Sequence, residues 1–215
     1  MLSAPEIKPI VTDTGLFVAI VGPSGVGKGT IMNLFKQRFA EAVYVLSNTT
    51  RAKRDGEKEG EQYFFVSVEE FEKGLQEGKY LEYAQVHQKD YYGVLREPVE
   101  KALKEGKIVI RELDIQGVDL IKKTIADGAL LTIFIKPENM ACLRQHIVQR
   151  GKITEEELLR RLESAEHELK RASECDYTVT NYEGRVEQAY LDIEGIILSK
   201  AKSRGVILQS ASSRF

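Results

Sequence analysis

The segment Gly22-Pro23-Ser24-Gly25-Val26-Gly27-Lys28-Gly29-Thr30 follows the apolar run Leu16 to Val21 and precedes Ile31, Leu34, Phe35 and Phe39 at helical spacing. That succession reads as strand, glycine-rich turn and helix, and it points the chain toward an α/β core. Glycines let successive backbone N–H groups converge on an anion. The following helix N-terminus adds its dipole, and Lys28 adds a full positive charge for the outer phosphates. All nine residues, Gly22, Pro23, Ser24, Gly25, Val26, Gly27, Lys28, Gly29 and Thr30, are therefore candidates to bind a nucleoside triphosphate. Gly29 stands where the general motif has a hydroxyl for magnesium, and the hydroxyl is displaced to Thr30. The metal is expected to be held mainly through waters, with no direct protein ligand.

Length and charge narrow the surroundings of this loop. The 215 residues fit one α/β domain with a sizeable core and room for a small inserted lobe or lid. With 31 basic and 33 acidic side chains the formal net charge is −2, so nothing suggests a general polycation surface for nucleic acid or anionic membrane. Phosphate recognition must be local. The only cysteines are Cys142 and Cys175, and the N-terminus lacks a signal-peptide pattern, which favours a reducing cytoplasm. The longest apolar runs, such as Leu130 to Ile135, are strand-sized, and the protein is expected to be soluble.

Short apolar runs at Leu16 to Val21, Lys107 to Leu113, Leu130 to Ile135 and Tyr177 to Thr180 alternate with helical stretches, predicting a parallel sheet flanked by helices. Residues Val43 to Tyr92 have a different texture, with a polar and aromatic strand at Gln62 to Val66, and read as an inserted lobe. Ser67 and Glu70 form a capping box for a helix that Gly78 stops. Pro98 fits a first helical position, Pro137 introduces a helix over Glu138 to Arg150, and Thr154 with Glu157 caps the next. Val186, Ala189, Tyr190, Ile193 and Ile197 form the core face of a final helix. Residues Met1 to Thr14 and Ser203 to Phe215 are expected to be loose.

A second phosphate site is suggested by Ser47-Asn48-Thr49-Thr50-Arg51-Ala52-Lys53-Arg54-Asp55-Gly56-Glu57, followed by Gly60 and Tyr63. Arginine presents paired donors to phosphate oxygens, hydroxyls fill the remaining acceptor sites, and Glu57 is placed to orient an arginine. Alone, such a segment reads sooner as a solvated charged loop. Together with the loop at 22 to 30, the Tyr91-Tyr92-Gly93 stretch, Glu112-Leu113-Asp114-Ile115-Gln116-Gly117, Arg150-Gly151, Arg161-Leu162, and Asp176-Tyr177 with Asn181, it resembles guanylate kinases. The resemblance covers roughly residues 15 to 200.

The resemblance implies a P-loop NTPase-type parallel sheet flanked by helices, with an inserted lobe for the nucleoside monophosphate and a small helical lid. Its implied division is a single domain over 15–205, comprising a core at 15–42, 95–137 and 165–205, a lobe at 43–94 and a lid at about 138–164, with flexible tails at 1–14 and 206–215. It implies transfer of the ATP γ-phosphoryl group to GMP and dGMP with Mg2+, in purine nucleotide metabolism. Partners are then the nucleotides alone, with no nucleic acid and no membrane, and a monomer or homodimer. Ser47, Arg51, Arg54 and Tyr63 match the acceptor phosphate clamp, and Glu57, Glu82, Tyr92 and Asp114 complete the GMP site. One carboxylate can accept guanine N1–H and NH₂ together, whereas adenine N1 is an acceptor and opposes it. Lys28, Arg150 and Arg161 match the groups that neutralise charge on the moving phosphoryl, the two arginines on a lid hinged near Gly151 to Thr154. Asn181 is a candidate for the adenine pocket by resemblance, and equally reads as a loop amide.

Two departures stand out. Val94 follows the Tyr-Gly pair where the family usually has Ser or Thr to donate to guanine O6, and the turn Gln88-Lys89-Asp90 is one residue longer than the family's. A lost donor to a buried carbonyl costs about 1–3 kcal/mol, roughly ten- to a hundredfold in affinity, unless Lys89, Tyr92 or a water replaces it. His146 stands where relatives often have a further lid arginine, and His87 and His167 lack metal-site company. The departures leave open another phosphorylated acceptor, such as a ribose bisphosphate, and a non-catalytic peptide-binding module of the same fold. Glu82 argues against the first and the intact loop against the second.

Overall fold

The computed structural model describes residues 9–40, 42–86, 90–126, 128–149, 151 and 153–206. Along the chain come β1 (Leu16–Val21), α1 (Lys28–Arg38), β2 (Ala42–Val43), β3 (Ser47–Thr49), β4 (Tyr63–Phe65) and α2 (Val68–Gln76). Then follow β5 (Tyr80–Val86), β6 (Asp90–Leu95), α3 (Arg96–Lys104), β7 (Ile108–Glu112) and α4 (Ile115–Thr124). The last elements are β8 (Leu130–Pro137), α5 (Met140–Gln149), α6 (Glu155–Lys170), β9 (Tyr177–Asn181) and α7 (Val186–Ser203).

The central sheet is parallel in the order β2-β7-β1-β8-β9. Every residue of β1 is buried because the sheet is covered on both faces. Leu16, Val18 and Ile20 pack in one cluster with Ile31 and Phe35 of α1 and Ile193 and Ile197 of α7. Phe17, Ala19 and Val21, alternating with them, pack in the other with Leu103 of α3 and Val118 and Ile121 of α4. Successive strands depart from β1 in opposite directions, and such a switch opens a crevice at the carboxyl ends of β1 and β7. Gly22 and Glu112 lie there.

A second sheet, in the order β4-β3-β6-β5, is mixed, with β3 and β4 parallel and the other pairs antiparallel. The capping box of α2 forms as the sequence predicts, Ser67 and Glu70 each serving the other's backbone. Phe71 of α2 stacks on Tyr80 at 4.1 Å and Tyr91 at 5.1 Å between centroids. Gly93 admits that stack, since a Cβ there would meet the Phe71 and Tyr80 rings at 2.9 Å. Leu81 and Val94 enter the apolar cluster on the α3 and α4 side, so the two sheets share a core.

Several local expectations are corrected. Ile10 is 1% exposed, its N–H donating to Thr124 and its carbonyl accepting from Ala126, so the loose segment does not extend to Thr14. Val206 is likewise buried rather than the start of a loose tail, while 207–215 lie outside the described residues. Pro98 is the third residue of α3, still among the N–H positions a helix leaves unpaired. Pro137 ends β8, and α5 begins at Met140 with the Asn139 side chain accepting from Cys142 N at 2.9 Å. Thr154 caps α6, yet Glu157 turns to Arg160 and Arg161, leaving half a box. The boundary drawn at 42/43 falls inside β2, whose Val43 pairs with Val109 of the central sheet. The boundary at 164/165 falls inside α6, because Leu158 and Ala165 enter the same core cluster as Leu143 and Ile147 of α5.

Candidate active site

The glycine loop is shaped by backbone that other residues resist. At Gly22, φ is 145° and a Cβ would lie 2.3 Å from the Ile135 carbonyl oxygen of the neighbouring strand. At Gly27, φ is 98° and a Cβ would lie 2.6 Å from Asn181 Nδ2. Gly27 is also the N-cap of α1, which has no side-chain cap and no acidic residue in its first turn. Its orphan N–H groups and positive dipole end are thereby kept for an anion. Lys28 is 9% exposed. Its Nζ donates to the carbonyls of Gly22 and Pro23, the latter at 3.1 Å, and lies 3.8 Å from Glu112 Oε1. Pro23, Gly25 and Val26 are buried, while Ser24, Gly29 and Thr30 are exposed. Thr30 faces an outer recess shared with His146 and Asn181. Asn181 is a brace for the loop, donating from Nδ2 to the Val26 carbonyl at 2.9 Å.

Across a cleft of about 720 Å³ from Gly22 and Lys28 stand Ser47, Tyr63 and Tyr92, and Asp114 also lines it. Glu57 accepts from Arg51 Nη2 with both oxygens, at 2.7 and 3.0 Å, and from the Arg54 backbone N–H at 2.8 Å. The Arg51 bond, then the Arg54 N–H, hold the Glu57 carboxyl below the usual carboxylate range. Arg51 lies over the Tyr63 and Phe65 rings at 5.6 and 5.7 Å, and its pKa is raised chiefly by Glu57. The Arg54 side chain is exposed and does not line the cleft. Tyr63 and Tyr92 meet edge to face at 5.7 Å.

Glu82 is 7% exposed, in a strand where a bulge between Tyr80 and Glu82 resets the register. Opposite it in the ladder is Val94, wholly buried, so a hydroxyl at 94 would meet the apolar cluster. Asp114 caps α4, accepting from Gly117 N at 2.6 Å, and borders both the cleft and a smaller recess that also includes Glu82. The turn at His87 to Lys89 lies outside the described residues.

Two cleft residues escape sequence reasoning. Arg111 of β7 donates from Nη2 to Ser47 Oγ at 2.8 Å and to Glu82 Oε1 at 2.9 Å. Its one sequence signal is a charge ending the apolar run Ile108 to Ile110. Glu168 of α6 borders the cleft. Burial pushes its pKa up, with the Lys28 charge opposing and the Asp114 charge reinforcing. Nothing in the helical pattern distinguishes Glu168.

Arg150 lies outside the described residues. Arg161 is 41% exposed and donates from Nε to Glu157 Oε1 at 2.8 Å on its own helix, away from the cleft lining. Arg144 and Arg160 are exposed ion-pair partners of Glu155 and Glu157. His146 pairs with Glu183 at 2.8 Å.

A sequence model described as guanylate kinase matches residues 15–200. The chain is 41% identical over 186 residues to a guanylate kinase from Clostridium perfringens strain 13, covering 86% of this chain and 84% of that protein. A guanylate kinase from Helicobacter pylori strain 26695 is 40% identical over 182 residues, covering 85% of this chain and 84% of its own length. The fold is similar to the crystal structure of guanylate kinase from Anaplasma phagocytophilum, with TM-score 0.67, 27% identity and 89% of each chain covered.

Proposed function

Because the chain belongs to the guanylate kinase family, we propose that it passes the γ-phosphoryl group of ATP to the phosphate of GMP and dGMP. The observation that carries this is one cleft with two unlike walls. The loop wall offers helix N–H groups and Lys28, and the other offers Ser47, Tyr63 and Tyr92, with the buried Glu82 carboxylate in the adjoining recess that shares Tyr92 and Asp114 with the cleft. An ionised acceptor phosphate needs no general base, so the protein's task is alignment and charge neutralisation. In this proposal the ATP phosphates draw Lys28 Nζ from the Gly22 and Pro23 carbonyls. Ser47, Arg51 and Tyr63 hold the GMP phosphate, with Arg54 joining from its exposed position. Glu82 and Asp114 face the base. Arg150 and Arg161 complete the charge as the lid closes, Arg161 exchanging Glu157 for phosphate.

Magnesium bound with ATP would supply neutralising charge at the phosphates. The donor set fits an ion held through water. Glu112 and Asp114 border the cleft, Glu112 lying 3.8 Å from Lys28 Nζ, and would hold such an ion through its waters. The relatives are bacterial and the described cysteines are free, which supports a cytoplasmic place for the reaction. No described helix is long and apolar enough to cross a membrane.

The test is an acceptor panel: MgATP with GMP, dGMP, AMP, UMP or a ribose bisphosphate, following ADP release. GMP and dGMP should turn over, with kcat/KM for AMP lower by at least about a hundredfold. No turnover on GMP would sink the proposal.

A further inference from the structure

Arg111 is a guanidinium at the end of a strand whose preceding three residues are buried and apolar. The Arg111 side chain is 14% exposed and the Glu82 side chain beside it 9%. Nη2 is used by Ser47 and Glu82, and Nη1 reaches the Val45 carbonyl at 3.4 Å. Nε is buried with no partner among the described residues. A guanidinium has five N–H groups, so Arg111 retains donors beyond those its neighbours accept. A pair serving stability alone is expected to satisfy them, because an unpaired buried donor is costly. Arg111 borders both the main cleft and the recess that includes Glu82, Tyr92 and Asp114.

Carboxylate and guanidinium side by side match one edge of guanine. N1–H and NH₂ donate to the carboxylate, and the adjacent O6 accepts from the guanidinium. Adenine in the same pose sets an acceptor against Glu82 and an amino group against Arg111, opposing both. Val94, the ladder partner of Glu82, supplies no donor and is sealed from the cleft.

We propose that Arg111 is a specificity-determining residue for the acceptor base, fixing the Glu82 carboxylate through Nη2 and donating a further N–H to guanine O6. This rests on the GMP reading above.

The experiment compares wild type, Arg111→Leu and Arg111→Lys on GMP and on 6-thio-GMP, whose sulfur is a weak acceptor. Wild type should show a higher KM for the thio analogue. Arg111→Leu should raise the GMP KM about tenfold or more, with kcat within about threefold and the ATP KM unchanged. Its preference for GMP over the thio analogue should disappear, and Arg111→Lys should recover part of both. The proposal is overturned if Arg111→Leu keeps the wild-type GMP KM, or raises it while keeping the thio penalty, the mark of a residue acting only through Glu82. Should Arg111→Leu not fold, wild type alone decides, since equal KM values for the two nucleotides exclude a donor at O6. Absence of any GMP turnover by wild type is a separate result, which defeats the function and this proposal together.

Discussion

Glu57 accepts from the side chain of Arg51 and the backbone of Arg54, so one carboxylate sets the shape of the acceptor loop. Its pKa is lowered in the folded protein, so its support for Arg51 is present above the ordinary carboxylate range and lost as pH falls through the lowered value. Glu57→Gln should raise the GMP KM about two- to fivefold. The ratio of mutant to wild-type KM should stay constant from about pH 6 to 8 and shrink toward one only below about pH 4. A ratio that varies across neutral pH contradicts this account. The Glu57 contact was legible because it spans 6 residues of one loop. Arg111 was not, because its partners are 29 and 64 residues away and meet it only through strand register.

At the scale of elements, β8 and β9 are joined by more than their ladder. Asp176 Oδ2 accepts from Thr132 N at 2.7 Å and Oγ1 at 2.8 Å, and Thr132 Oγ1 accepts from Asp176 N at 2.8 Å. Thr132 is 1% exposed, so Asp176→Ala leaves buried donors unpaired and should cost about 1–3 kcal/mol in urea unfolding. The GMP KM of the folded variant should be unchanged, since Asp176 does not border the cleft. The elements themselves were largely legible: β1, α1 and the capped α2 follow from local periodicity and side-chain caps. Pro98 and Pro137 misled because proline signals a constraint on φ without saying which helix position or strand end will use it.

In the whole molecule, the N-terminal segment crosses the base of the core. Ile10 bridges to Ile125 and packs with the α3 and α4 cluster. Arg204, just past α7, donates to the carbonyls of Thr12 and Gly15. Ile10→Ala should destabilise by about 2–5 kcal/mol, measured by denaturant unfolding, with kcat/KM retained where the variant is folded. Fluctuating polar and apolar residues at 9–14 have no period, so only the assembled surface reveals that Ile10 is covered. The same division runs through the function. The sequence by itself determined the parallel core, the loop from Gly22 to Thr30 and the family, because glycine conformations, caps and strand runs are set by a few neighbouring residues. Tertiary structure alone decided that Val94 turns into the core and that Arg111 joins Ser47 to Glu82. Those outcomes depend on register, burial and competing partners distant in the chain, which no local pattern encodes.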